Sequence, residues 1–567
     1  MAGTSLHHFS TRQKIIVMLA VMSGLFLVAL DQTVIATALT AILDEFKSYS
    51  SLGFIVTAYL LTTTITVPLA GKLSDMYGRR PLLITGVLVF TIGSLLSGMS
   101  PSVEWLIAWR ALQGIGGGII TSQAFTIVGD LFSPRERGRW QGFVGAVFGM
   151  ASVVGPLLGG WLTDGQHLFG LTTDWRWTFF INIPIGIAAA TVIIINLPNT
   201  KHSSEHRPDY WGATFITVAL ASIVLAVDNT KVIFSFLTDN GVNIGFIQTA
   251  LWAIAVISTA AFVLAEHRAK QPILPLKFFK RQVYAILAVA TLLFGSAFLG
   301  AILYLTQFNQ QIYGASASDA GYMLLPMVGG MMVASIATGQ IVSRLGRYKM
   351  FLLIGFTLTT VSILSLITLQ PDTAYWHEAV IMAFAGLGLG MSMPILSLAV
   401  QNEFGQEDLG AATSSVQLFR GLGSTVGTAL FSGMLTTGII ASLGSPMNIP
   451  YIQTLKQSPA SSSLLSGDID ANVLLQINTQ RSQIAKQANQ AFTKLPTPEL
   501  QSSATKSFAQ QQTKFNDDVV DAFTSSLHKI FLLAGSLMAI CAVLIAFIRE
   551  RPLRDTVELN EEPGIEQ

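Results

Sequence analysis

Residues 71–80 read Gly71-Lys72-Leu73-Ser74-Asp75-Met76-Tyr77-Gly78-Arg79-Arg80, a charged turn between two apolar runs at 51–70 and 81–99. Each run has about 20 residues, the length that crosses a bilayer core of roughly 30 Å as a helix. A turn this short makes the two runs antiparallel neighbours, and its basic residues put it on the cytoplasmic side. Sliding the chain along itself by 268 residues lays Gly339, Gly346 and Arg347 on Gly71, Gly78 and Arg79. The same register sets Gly386 on Gly118, Gly410 on Gly142, Gly423 on Gly155 and Gly427 on Gly159. Glycine is common here, but one register held across four helices points to an internal duplication.

The rest of the chain fits that reading. Of 567 residues, 51% are apolar and 11% charged, where a soluble protein carries about 25% charged residues. Such a chain cannot cover its surface with polar groups, so its solvent is lipid. A net charge of +1 gives no reason to expect nucleic acid. The single cysteine, Cys541, excludes an internal disulfide and a cysteine-based metal site. Apolar runs bounded by charges or turn residues predict helices at 14–40, 51–70, 81–99, 103–128, 138–162, 176–197, 211–228, 244–265, 282–308, 318–343, 349–369, 376–400, 410–440 and 526–548. The first is not a signal peptide despite Ala36-Thr37-Ala38, because Asp31 interrupts it and thirteen spans follow.

Lys and Arg crowd alternate loops, for example Lys72, Arg79 and Arg80, then Arg135, Arg137 and Arg139, then Arg344, Arg347 and Lys349. The opposite short loops hold only Lys47, Arg176 and Lys231. Both termini are therefore expected in the cytoplasm, as an even helix count also requires. The expected division is a six-helix half at 1–198, a two-helix insert at 199–281, helices 9–13 at 282–440, an extracytoplasmic loop at 441–525, and the last helix with its tail at 526–567. An insert of two helices keeps the halves parallel, the arrangement of a rocker-type transporter with its site between them. Within the loop, 470–491 and 500–523 are each helix candidates, as a hairpin on the outer mouth or as parts of a linker.

Ionisable groups inside the spans are costly and few. Asp31 lies about 16 residues into helix 1, or ~24 Å from the cytoplasm, and Arg110 about 10 Å below the outer face. They are expected to pair, with Gln113 one turn from Arg110 on the same face. A static ion pair and a proton switch are both open readings, and the switch is favoured because intramembrane charges are functional by default. Arg420 is expected near the midplane beside Gln417. Gln32, Tyr304, Gln307 and Gln311 complete the candidate cavity, although the last three could instead satisfy neighbouring backbone. Helix 5 carries Gly142, Gly145, Gly149, Ser152, Gly155 and Gly159 as one small-residue stripe, with Pro156 removing a backbone hydrogen bond.

Assembled, these residues resemble the major facilitator superfamily, in particular its fourteen-helix drug:proton antiporters. Gly71 to Arg80 is similar to the family's cytoplasmic latch, with Gly71, Asp75, Gly78, Arg79 and Arg80 matching and Met76 in place of an Arg. Its second copy, Gly339 to Tyr348, has Ser343 for the Asp. Leu30-Asp31-Gln32-Thr33-Val34-Ile35 resembles the helix 1 signature linked to protonation, and Arg110-Ala111-Leu112-Gln113-Gly114 the helix 4 motif linked to proton transfer. Gly155-Pro156-Leu157-Leu158-Gly159-Gly160 resembles the antiporter motif of helix 5, with Ala151 for its leading Gly. Trp175 to Pro184 and Ala320 to Pro326 resemble the entries to helices 6 and 10.

The resemblance implies an all-α membrane protein with the major facilitator fold, exporting small molecules against protons by alternating access. It implies a plasma (inner) membrane location, a monomer, no cofactor, and no use of ATP. Few cavity acids beyond Asp31 predict lipophilic or amphipathic substrates, neutral or zwitterionic in preference to dications. Alternatives are an exporter of one lipid or metabolite, or a sensor of the same fold. An enzyme is disfavoured: His377-Glu378 has Ile381 where a second zinc-binding His would stand, and no Gly-x-Ser-x-Gly elbow occurs. Gly71-Lys72 lacks the rest of a phosphate loop.

Overall fold

The computed structural model describes residues 10–46, 52–163, 165–168, 170–197, 209–227, 230–315, 317–405, 408–444, 446–456, 469, 471–493 and 496–553. Lys47 of the loop-charge pattern lies outside the described residues, as do Lys201, Arg207 and Arg554, which fall in the predicted cytoplasmic loops after helix 6 and after helix 14. Fourteen helices among them are long and apolar enough to cross a membrane. They are α1 (Thr11–Phe46), α2 (Leu52–Tyr77), α3 (Arg79–Gly98), α4 (Val103–Leu131), α5 (Pro134–Thr163), α6 (Trp177–Asn196) and α7 (Tyr210–Val227). Then come α8 (Ile244–Arg268), α9 (Gln282–Gln311), α10 (Leu325–Leu345), α11 (Lys349–Thr368), α12 (Tyr375–Gln401), α13 (Leu409–Leu443) and α14 (Pro498–Ala546). The only sheet among the described residues is the small hairpin β1 (His167–Leu168) and β2 (Leu171–Thr172) after α5.

The duplication is visible in the packing. In the first half α2 and α3 both lie on α4, α1 lies on α5, and α6 lies on α1 and α3. In the second half α10 and α11 lie on α12, α9 lies on α13, and α14 lies on α9 and α11. Each pairing recurs with every helix number raised by eight. Both turns hold a glycine at positive φ, 96° at Gly78 between α2 and α3 and 70° at Gly346 between α10 and α11, although ψ differs, 157° against 13°. Positive φ is open to glycine at little cost and strained for other residues.

Without a hydrophobic drive between helices in lipid, close packing and interhelical hydrogen bonds hold such a bundle together. The halves meet along α5 with α10 and along α2 with α13, and α4 also touches α13. The insert helices α7 and α8 pair with each other, and α7 lies against both α2 and α13, over one seam between the halves.

The stretch after α13 differs from the predicted layout in one respect. Short helices Pro450–Lys456, Ala471–Thr479 and Arg481–Phe492 form an outer cap, but the predicted segment at 500–523 is not separate from the last span. It runs into it as one 49-residue helix, about 74 Å long at 1.5 Å per residue. No Gly or Pro occurs between Glu499 and Ala534 to stop it, and Thr497 caps its start by accepting a hydrogen bond from the Leu500 amide. The cap rests on α9, α13 and α14, all of the second half.

Candidate functional site

The pair expected from depth alone is formed. Arg110 Nη1 donates to Asp31 Oδ2 at 2.5 Å and to Gln113 Oε1 at 2.8 Å, and Gln113 Nε2 donates to Asp31 Oδ1 at 2.9 Å. Asp31 is 3% exposed and Arg110 1%, so this triangle is closed to bulk water. Four further residues surround it. Asn182, at the start of α6, reaches Asp31 Oδ1 at 3.4 Å and is itself anchored to Ser94 Oγ at 2.9 Å. The Tyr59 ring of α2 lies 4.3 Å from the guanidinium and the Phe179 ring 5.8 Å away. Five elements therefore converge on one carboxylate. The pair and its hydrogen bonds tie α1 to α4.

The latch residues also meet. Arg79 Nη1 is 2.5 Å from Asp75 Oδ1, and Arg79 Nε is 2.6 Å from Asp130 Oδ2 at the end of α4. Asp75 Oδ2 then accepts the backbone N–H of Ala411 at 3.0 Å, at the N-terminus of α13 in the other half. A helix N-terminus favours an anion, so this contact clamps the two halves. Gly71 lies against α13 so closely that a Cβ would sit 2.0 Å from Ser414 Oγ. Arg135 adds a second tie, donating to the carbonyls of Ser343 at 2.9 Å and Arg344 at 2.6 Å. Arg80 instead binds the carbonyl of Ile194 at 2.6 Å within its own half. At the end of the bundle that carries the α2–α3 turn, the halves are thus closed on each other. Farther along α13 they remain in ordinary contact, where a Cβ on Gly421 would be 3.8 Å from Thr64 of α2.

The helix 5 stripe serves two partners instead of one. Gly142 and Gly145 accept α10 across the seam, where Ser335 Oγ donates to Gly142 O at 2.8 Å. Gly155 faces α1, where Thr33 Oγ1 donates to Ala151 O at 3.0 Å. Gly159 and Gly160 continue α5 outward, and the side chain of Pro156 lies outside the described residues.

The remaining candidates do not form one stripe. Gln311 is drawn outward into the cap, donating to Thr479 Oγ1 at 2.8 Å and accepting from Asn478 Nδ2 at 2.8 Å. Tyr304 is buried against Phe431 of α13. Gln307 leaves its Oε1 without a partner. Gln32 is exposed beside buried Asp31. Gln417 Nε2 reaches Ser397 Oγ at 3.5 Å. Arg420 crosses the seam to the rings of Phe148 at 5.3 Å and Phe125 at 5.7 Å.

Outside the membrane, Arg176 pairs with Glu45 at 2.7 Å and Asp174 at 3.3 Å. The hydrogen bond from Arg176 holds the Glu45 carboxyl below its ordinary range. Beyond the end of α12, burial pushes Glu403 up, with Arg551 opposing.

The match to known proteins follows the same lines. A family model of the Major Facilitator Superfamily matches residues 21–428. The chain belongs to this superfamily. The transporter is 34% identical to the multidrug transporter protein MdtP of Bacillus subtilis (strain 168), over 93% of this chain and 91% of that one. It is 30% identical to multidrug resistance protein 3 of the same organism, over 96% and 97% of the two chains. Among solved structures, the human organic anion transporter MFSD10 superposes with a TM-score of 0.56, covering 74% of this chain and 93% of that one. At 16% identity that likeness is one of fold alone. These relatives are transporters, and the fourteen spans agree with the fourteen-helix drug-transporter group.

Proposed function

We propose that this transporter exports small lipophilic or amphipathic compounds across the plasma membrane in exchange for protons, with Asp31 as the proton carrier. The observation that carries the reading is the buried carboxylate of Asp31, held by Arg110 and Gln113 within the membrane. Arg110 and the Tyr59 phenol are the titratable groups facing it among the described residues. With Asp31 ionised, the pair ties α1 to α4. With a proton bound, the tie weakens and the halves are free to rock. One charge moved through 100 mV is worth about 2.3 kcal/mol, enough to bias two states that differ by a few kcal/mol.

The relatives' printed functions support multidrug substrates, and the antiport direction rests on the likeness of Gly155, Pro156, Gly159 and Gly160 to the helix 5 motif. The working unit is a monomer with both termini cytoplasmic, using no cofactor and no ATP. The experiment is uptake of a dansyl-labelled amphipath into liposomes holding the transporter, under an imposed pH gradient. Uptake that collapses with a protonophore supports the reading. Uptake indifferent to the gradient overturns it.

A further inference from the structure

The second half holds a cation that nothing among the described residues neutralises. Arg420 lies about 16 Å along α13 from its cytoplasmic end at Leu409. Its backbone is fixed by α9, since a Cβ on Gly295 would come within 2.2 Å of the Arg420 carbonyl oxygen. From that anchored position the guanidinium extends across the seam to Phe125 of α4 and Phe148 of α5. The two rings are stacked at 6.5 Å between centroids.

Among the described residues no carboxylate and no oxygen acceptor meets Arg420. A guanidinium carries five N–H donors, and an aromatic face attracts the charge without accepting those donors as an oxygen does. One turn below, Gln417 is 4% exposed and its Oε1 has no hydrogen-bond partner. Beneath both, Gln401 of α12 closes the floor, donating to the Phe125 carbonyl at 2.9 Å while Gln141 donates to it at 3.3 Å. Among the described residues the donors of Arg420 therefore remain unspent above a hydrogen-bonded floor, at the seam between the two halves.

We infer that Arg420 binds the oxyanion head of an amphipathic substrate, a carboxylate, sulfonate or phosphate, with Phe125 and Phe148 flanking its apolar body. A planar guanidinium fork matches such groups with two parallel hydrogen bonds, and the low dielectric around it strengthens the contact. An organic cation would meet like charge there. This deepens the proposed export function and rests on it, narrowing the expected neutral or zwitterionic substrates to those that carry an anionic group.

The test uses the full chain in phosphatidylcholine liposomes, without a gradient. The probe is dansylaminoundecanoic acid, compared with its carboxamide by fluorescence titration. The wild type is expected to bind the carboxylate at least about tenfold more tightly than the amide, a difference of about 1.4 kcal/mol. In Arg420→Gln this ratio should fall to near one, and Arg420→Lys should keep part of it, which also shows that the site still folds. Adding phosphatidylglycerol separates the sources of the oxyanion: displacement of the probe assigns the site to a lipid phosphate, and no displacement to a solute.

A wild type that does not prefer the carboxylate, non-binding of both probes included, overturns the inference. So does a preference that survives in Arg420→Gln. A preference that is present while a pH gradient fails to drive uptake leaves Arg420 assigned and removes the proton-coupling reading instead.

Discussion

In the first half, Asp31 and Arg110 neutralise each other at 2.5 Å. At the positions one repeat later, 268 residues on, the second half has Leu299 and Glu378. Asp75, Arg79 and Asp130 are joined by ion pairs in the first half, and their counterparts are Ser343, Arg347 and Leu398. The second half keeps instead a lone Arg420 at the seam and Glu378, buried with the Asn309 amide against its carboxylate at 2.9 Å. The helix pairings of the two halves are the same, so backbone packing does not require this asymmetry. The duplicated frame sets helix positions, and charge has been distributed on it unequally: a closed ion pair within the first half, and in the second an Arg420 that meets no carboxylate among the described residues.

The largest effect should come from breaking the first half's pair outright. Arg110→Ala leaves Asp31 buried without its cation, which costs about 3–5 kcal/mol for a buried pair. Thermal unfolding in detergent should show a strong loss of stability, and Arg420→Ala should cost far less because it leaves no buried carboxylate behind. Equal losses would end the contrast between the halves.

Next is the latch. Asp75→Ala removes the contact to the Ala411 amide and the pairing with Arg79, and a hydrogen bond to a charged group is worth about 1.5–3 kcal/mol. Spin labels at the exposed positions Tyr77 and Leu345, on the cytoplasmic ends of α2 and α10, should move apart in this variant. In Ser343→Ala, the matching change in the second half, they should stay where they are.

The cap belongs to the second half alone. Replacing residues 450–493 by a Gly/Ser linker should lower the melting temperature yet leave proton-driven uptake in place. Loss of uptake in a chain that still inserts would make the cap part of the transport path.

The smallest effect lies at the outer end of the first half. Glu45 has its carboxyl held low by Arg176. The pair's stabilisation is therefore full above the ordinary glutamate range and is lost as pH falls through the lowered value. Glu45→Gln should remove that dependence at a cost of at most about 1 kcal/mol, because the pair is partly exposed. A pH-stability curve that is unchanged by the substitution would show that the pair contributes nothing.

Much of this was legible in the sequence because membrane physics narrows the choices. Apolar length counted the spans, and the cost of intramembrane charge singled out Asp31, Arg110 and Arg420. What escaped depended on side-chain reach. Asp130 fell outside a span drawn as 103–128, whereas α4 continues to Leu131, so the third member of the latch went unread. Asn182 stood in the helix 6 entry motif without a role, since nothing local tells that it turns toward Asp31. The stripe of Tyr304, Gln307 and Gln311 looked like one polar face, and the cap, which has no sequence motif, draws Gln311 outward. Glycines are a similar case. Spacing marked helix 5 as a close-packing surface, but only the fold divides it between α10 and α1.

The central claim is that Asp31 carries the coupled proton. The direct measurement is proton release into weakly buffered solution when a dansyl-labelled amphipath is added to the purified transporter, for the wild type and Asp31→Asn. Asparagine keeps the shape and a hydrogen-bond acceptor for Arg110 but has no proton to release. A release that grows with bound substrate is expected from the wild type, and none from Asp31→Asn at matched occupancy. An undiminished release from the variant would contradict it.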